Sequence, residues 1–280
     1  MSLLNLPEIR ADHRLGVAQF DVRPDALERW QPEVRAAVEG EASISIYDAI
    51  GESWDGQGFT AKRMSAALRS IGARDVTVNV NSPGGDFFEG VAIYNMLREH
   101  KAKVTVRVMG LAASAASVIA MAGDEILMGD GAFLMVHNAW AVAIGNRHDM
   151  ADAAARLAPF DDAMAQVYAS RTGLSKAETA TLMDKETWIS AAQAVDDGFA
   201  TGLIERSDIT QDTKAQGGKK ALALIEASMA RAGHSRTARR DAFKSLFTGT
   251  PGAASEAAMP GAGETAALLL SLTNSLKVQS

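Results

Sequence analysis

The chain has 280 residues, 47% hydrophobic and 22% charged, with a formal net charge of -6 and no cysteine. That length holds one large domain with appendages or two small ones, and the missing thiols exclude disulfides, thiolate nucleophiles and thiolate-bound metals. The mildly acidic balance leaves no footprint for nucleic acid.

Met1 to Pro7 shows no charged region ahead of a long apolar stretch, so no secretory signal is expected. Residues 1–41, with Pro7, Pro24 and Pro32, read as an N-terminal arm holding an amphipathic stretch near Leu27 to Val38. Ser43 to Tyr47 alternates like a strand, and Gly51 to Gly58 is a polar loop. Thr60 is placed to cap a helix carrying Met64, Leu68 and Ile71 at helical spacing. Val76 to Val80 is a strand, and Asn81-Ser-Pro-Gly-Gly85 then opens a helix with Val91, Ile93, Tyr94 and Leu97.

The strand-then-helix rhythm returns at Val104 to Met109 followed by Ala112 to Met121. The run Gly110 to Gly123 is too short and too Ala/Ser-rich to cross a bilayer, so a buried helix is expected there. Ile126 to Met128 and Phe133 to Val136 are short apolar strands, and a long helix follows over roughly Asp149 to Arg171. Shorter helices are expected at Ser175 to Met183 and Ser190 to Asp197. Alternation of this kind argues for βαβ units and a largely parallel sheet. Beyond about Glu205, Gly217 to Lys220, Arg236 to Arg240 and Thr248 to Glu264 read as linkers around short helices. The expected organisation is an arm (1–41), a globular domain (42–205) and a helical, partly disordered tail (206–280).

Ser114 sits among small residues just past a strand, where a hydroxyl can meet free backbone N–H groups. Ala115 behind it and Gly85 in the Pro-Gly-Gly turn can each offer such an N–H to an oxyanion. Of five histidines, only His137 lies where a strand runs into a non-helical stretch, as a general base would. A base needs an orienting carboxylate, and Asp184 and Glu186 are the candidates. Each feature has a plainer reading: small-residue helix packing, an ordinary tight turn, a core histidine, and carboxylates facing a helix dipole. No Gly-x-Ser-x-Gly elbow is present, and no Gly-Lys-Ser/Thr follows the 84–85 pair, so nucleotide binding is not expected. No cofactor or metal is implied.

Taken together, Asn81-Ser-Pro-Gly-Gly85, Gly110-Leu-Ala-Ala-Ser-Ala115, Met135-Val-His-Asn138 and Glu186-Thr-Trp-Ile-Ser190 resemble the Clp protease proteolytic subunit. The resemblance is closest to its phage and prophage relatives, the head-maturation proteases, and covers about 42–205. It implies an α/β, crotonase-like (ClpP-type) spiral of βαβ units with a protruding helix handle. It implies Ser114 as nucleophile, His137 as base, Gly85 and Ala115 as oxyanion hole, and Glu186 where the family has aspartate, with Asp184 as substitute. It also implies peptide substrates, among them capsid and scaffold proteins, stacked homo-oligomeric rings, and an unfolding ATPase that the phage relatives do without. A cytoplasmic place, in the bacterial cell or a phage prohead, goes with it. The competing readings are a crotonase-type acyl-CoA hydratase or isomerase, and a catalytically silent capsid-assembly scaffold.

Overall fold

The structure, a computed structural model, describes residues 21–37, 40, 42–53, 58–141, 143, 146–205, 208–211 and 218–247. The first twenty residues of the arm and the tail from 248, with its Gly/Ala/Pro stretch, lie outside the described residues. Chain contacts group Met1–Arg240 as one unit and Asp241–Ser280 as a second. In the second, the described residues 241–247 are helical.

In chain order the first unit begins with α1 (Pro24–Arg29), β1 (Val34–Ala36), β2 (Ser43–Ile46), α2 (Ala61–Ile71), β3 (Val76–Ser82) and α3 (Phe87–Arg98). Then come β4 (Val104–Ala113), α4 (Ala115–Ala120), β5 (Glu125–Met128), β6 (Phe133–Val136) and α5 (Arg147–Thr172). The remaining elements are α6 (Lys176–Asp184), β7 (Thr187–Ser190), α7 (Ala191–Asp196), β8 (Gly202–Leu203), β9 (Ile209–Gln211), α8 (Gly218–Arg231) and α9, which starts at Arg236.

Strands β2, β3, β4, β5 and β8 lie side by side in that order, all parallel. The far end of β4 leaves this sheet's line and pairs in parallel with β6, on which β7 runs antiparallel. Parallel strands covered by helices bury both faces, and β3 and β4 supply β-branched residues for that: Val76, Val78, Val80, Val104, Val106 and Val108 are all buried. Local signals set the crossovers. Thr60 caps α2 by accepting from the Arg63 N–H, and the Asp86 carboxylate caps α3 by accepting from Phe88 and Glu89. Capping boxes start α5 (Asn146, Asp149) and α6 (Ser175, Glu178), and left-handed Gly173 ends α5.

The α/β architecture and its largely parallel sheet match the expectation, with four differences in detail. Strand β4 continues to Ala113, and α4 is only Ala115–Ala120, because Ala112 and Ala113 are held by pairing with Leu134 and Met135. The ladder overrides their helical preference. Residues 187–190 form β7, which the sequence pattern does not reveal. The stretch at 27–38 is not one helix: Trp30 is extended, and Val34–Ala36 pairs with Ile209–Gln211. Gly218 to Lys220 and Arg236 to Arg240 are helical rather than linkers.

Candidate active site

Three neighbouring parallel strands end at one edge. β3 runs into the Pro83–Gly85 turn, β4 into Ser114, and β6 into His137, with Ser82 opposite Ala112 and Ala113 opposite Met135. The Ser114 N–H donates to the Met135 carbonyl at 2.9 Å, which pins the serine beside the end of β6. Ligand sites of open α/β sheets lie at such carboxyl ends. Strand β7 brings the fourth piece from the opposite direction. Its antiparallel register puts Thr187 opposite Val136, so Glu186 and His137 each adjoin the last pair of the ladder.

Ser114 sits at φ 54°, ψ −127°, at the N-cap of α4, and its side chain caps no helical N–H. Neither the Ala115 N–H nor the Gly85 N–H meets an acceptor among the described residues. Gly84 and Gly85 take positive φ, 86° and 148°, a conformation that side chains resist. The close approach explains the pair. A Cβ on Gly84 would lie 2.6 Å from the Ser114 Cβ, and one on Gly85 would lie 2.2 Å from the Ile50 carbonyl oxygen. The turn is further tied down by the Ile50 N–H donating to the Gly84 carbonyl and the Asp86 N–H to the Ile50 carbonyl.

His137 is buried, at 6% exposure, and its Nδ1 has no hydrogen-bond partner. Burial, helped by the positive charge of Arg23, lowers its pKa to about 4, against opposing pulls from Glu186, Asp25 and the Asn138 backbone. The imidazole is therefore neutral at physiological pH, as a base must be. It makes no hydrogen bond with the Ser114 hydroxyl or with either candidate acid.

Glu186, also at positive φ (50°), is occupied elsewhere. Arg23 donates to both of its oxygens, Nη1 at 2.5 Å and Nη2 at 2.6 Å. Asp184 accepts from the Asn138 side-chain amide at 2.8 Å. The fold thus brings Ser114, His137, Glu186, Gly85 and Ala115 to one edge, while Asp184 sits on the neighbouring Asn138. Sequence reasoning misses Arg23. An arginine ahead of Pro24 reads as a helix flank, and its partner lies 163 residues away.

Ser117, the other serine of the Ala/Ser run, is fully buried and structural. Its hydroxyl donates to the Ser114 carbonyl at 2.7 Å and shares a 2.8 Å hydrogen bond with the Tyr168 hydroxyl. Among the described residues there is no group of His, Asp or Glu able to hold a metal, and no helix long and apolar enough to cross a membrane.

The Clp protease family profile matches residues 34–207. An ATP-dependent Clp protease proteolytic subunit from Leuconostoc citreum (strain KM20) is 30% identical over 145 residues, 50% of this chain and 72% of that one. Proteolytic subunit 2 from Rhodococcus jostii (strain RHA1) is 30% identical over 137 residues, covering 48% of this chain and 70% of the relative. Among solved structures, a point mutant of ClpP1 from Listeria monocytogenes superposes with a TM-score of 0.50 at 24% identity, over 60% of this chain and 93% of the other. That likeness is one of fold. With the profile covering more than half of its length, the chain belongs to the Clp protease family of serine-type peptidases.

Proposed function

We propose that this chain is a serine endopeptidase in which Ser114 is the nucleophile, His137 the general base and Glu186 the acid that orients it. The observation that carries the reading is the convergence of three strand ends, with a strained serine beside two unengaged N–H groups. His137 takes the Ser114 proton as the hydroxyl attacks a peptide carbonyl. The Gly85 and Ala115 N–H groups receive the oxyanion, a contribution of about 2.7–4 kcal/mol per donor in comparable sites. His137 then protonates the leaving amine, and water hydrolyses the acyl-enzyme. Glu186 fills the third role by turning from Arg23 to the vacant Nδ1, and Asp184 is the substitute. The protease domain is 42–205, with appendages at 1–41 and 206–280.

Membership of the family implies peptide substrates and ring-shaped homo-oligomers. The first turns of α5, Arg147 to Arg156, are largely exposed and suit a ring-to-ring contact. We place the substrates among phage or prophage capsid and scaffold proteins, acted on in the bacterial cytoplasm or prohead without an ATPase. The support is the likeness of the four motif blocks. Reaction with a fluorophosphonate probe tests the chemistry. Labelling at Ser114 that is lost in Ser114→Ala supports the peptidase. A native chain that never labels, under any condition that frees the site, points to the silent scaffold or the hydratase instead.

A further inference from the structure

The side of the Gly84–Gly85 turn away from the core is acidic, and a basic piece of the same chain lies on it. Asp21, Asp48, Glu52 and Asp86 surround the turn. Lys219 pairs with Asp48 at 2.8 Å, Arg236 with Asp86 at 2.7 Å, Arg239 with Asp21 at 3.0 Å and Arg240 with Glu52 at 2.6 Å. Arg239 is 1% exposed, so this is a seated contact rather than a loose encounter of surface charges. Residues 218–240 carry six Lys/Arg against one Glu, in a chain whose net charge is -6. Between this segment and the turn a cavity of only about 90 Å³ remains, lined by Ile50, Gly85 and Asp86 on one side and Leu222, Ala223 and Arg236 on the other.

The apolar side of α8 reaches the nucleophile's neighbours. Ala227, with Ala223 and Leu224 beside it, packs with Ala26, Leu27 and Trp30 of the arm in one cluster with Leu111, Ala113 and Met135. Ala113 immediately precedes Ser114, and the Met135 carbonyl is the acceptor of the Ser114 N–H. The same layer carries Arg23, which holds Glu186.

We propose that the acidic face beside the Gly84–Gly85 turn is a binding surface for a cationic segment, and that this chain fills it with its own residues 218–240, closing the candidate active site. Opening then consists of exchanging this segment for another basic stretch of polypeptide or for solvent. The half-exposed pairs at its rim, Lys219–Asp48 and Arg236–Asp86, weaken as salt screens them, and the closure weakens with them. The inference deepens the peptidase reading and rests on it for its consequence, since it names what must leave before a substrate enters.

The test uses the full chain and its K219D/R236D variant, which reverses two half-exposed cations. Hydrogen exchange at 84–89 and 113–116 and the rate of fluorophosphonate labelling at Ser114 are both measured. Each is expected to rise about tenfold, the factor that 1.4 kcal/mol represents, and adding D48K to restore one pair is expected to slow both again. Unchanged exchange and labelling overturn the closed-face inference while leaving the peptidase reading standing. Faster exchange with no labelling supports the surface and overturns the peptidase. Should the variant not fold, the native chain answers by itself: raising salt to about 1 M, where the Debye length is about 3 Å, is expected to speed exchange at 84–89. Salt-independent exchange there overturns the inference.

Discussion

The Ser114 Cβ lies 2.6 Å from where a side chain on Gly84 would begin, with the Ala113 carbonyl oxygen 2.5 Å away. The turn and Ser114 are therefore packed backbone to side chain, leaving no room for a methyl group. Gly84 also holds φ at 86°. Gly84→Ala is expected to cost about 1–3 kcal/mol in backbone strain alone, a Tm drop of about 2–12 °C at the usual size scaling. Labelling at Ser114 should fall more than the Tm loss explains, because Ser114 is what must move. Near-native labelling with a native Tm would show that the two residues are not in contact in solution.

The conformation of Ser114 gives a second prediction. A φ of 54° with ψ of −127° is one that glycine tolerates and other residues resist. Strain kept at a reactive residue is a stability cost that the surrounding fold sustains. Ser114→Gly is therefore expected to raise Tm by about 2–4 °C, the shift worth about 1 kcal/mol, while Ser114→Ala keeps a side chain at the same φ and leaves Tm near native. Both lose labelling. Calorimetry on the pair separates strain from the loss of the hydroxyl, and equal Tm values would remove the strain argument.

Ser117 is the control three residues on. Its hydroxyl satisfies the buried Tyr168 hydroxyl, whose pKa burial pushes above the ordinary range of tyrosine. Removing it by Ser117→Ala leaves the Tyr168 hydroxyl unpaired, at about 1–3 kcal/mol. Denaturant unfolding should report that loss while Ser114 still reacts with the probe. A variant that is fully stable but inert would assign Ser117 a chemical part.

What the sequence reveals and conceals follows from the range of the forces involved. The strand-helix rhythm, the cap at Thr60, the helix starts near Ser175 and Ser190, and the positions of Ser114 and His137 are written in local patterns, so they are legible. Strand β7 is not, because Thr187–Ser190 becomes a strand only by pairing with Phe133–Val136, more than fifty residues earlier. The same long-range pairing carries β4 through Ala112 and Ala113, which alone favour a helix. Nothing local says that Arg23 will meet Glu186, or that Arg239 will meet Asp21. An ion pair has no periodicity to read.

The Arg23–Glu186 pair makes the last prediction, through His137. From sequence alone His137 is expected to titrate near about 6.5, whereas burial foremost and Arg23 next lower it to about 4 in the fold. A histidine with a depressed folded pKa binds fewer protons folded than unfolded, so the unfolded chain gains relative stability as pH falls. Stability should thus decline from about pH 6.5 to about pH 4, by up to about 3 kcal/mol if the whole shift is realised. Arg23→Gln removes the cation and leaves the Glu186 carboxylate unpaired, and both changes favour the imidazolium. The His137 pKa, followed by ring-proton NMR, is expected to rise in this variant, and the acid-induced loss of stability to shrink with it. Peptidase activity should gain as well, since a base works best with a pKa close to the working pH. If the His137 titration stays where it is in the native chain, Arg23 does not act on the imidazole, and release of Glu186 from the arm does not bring it to His137.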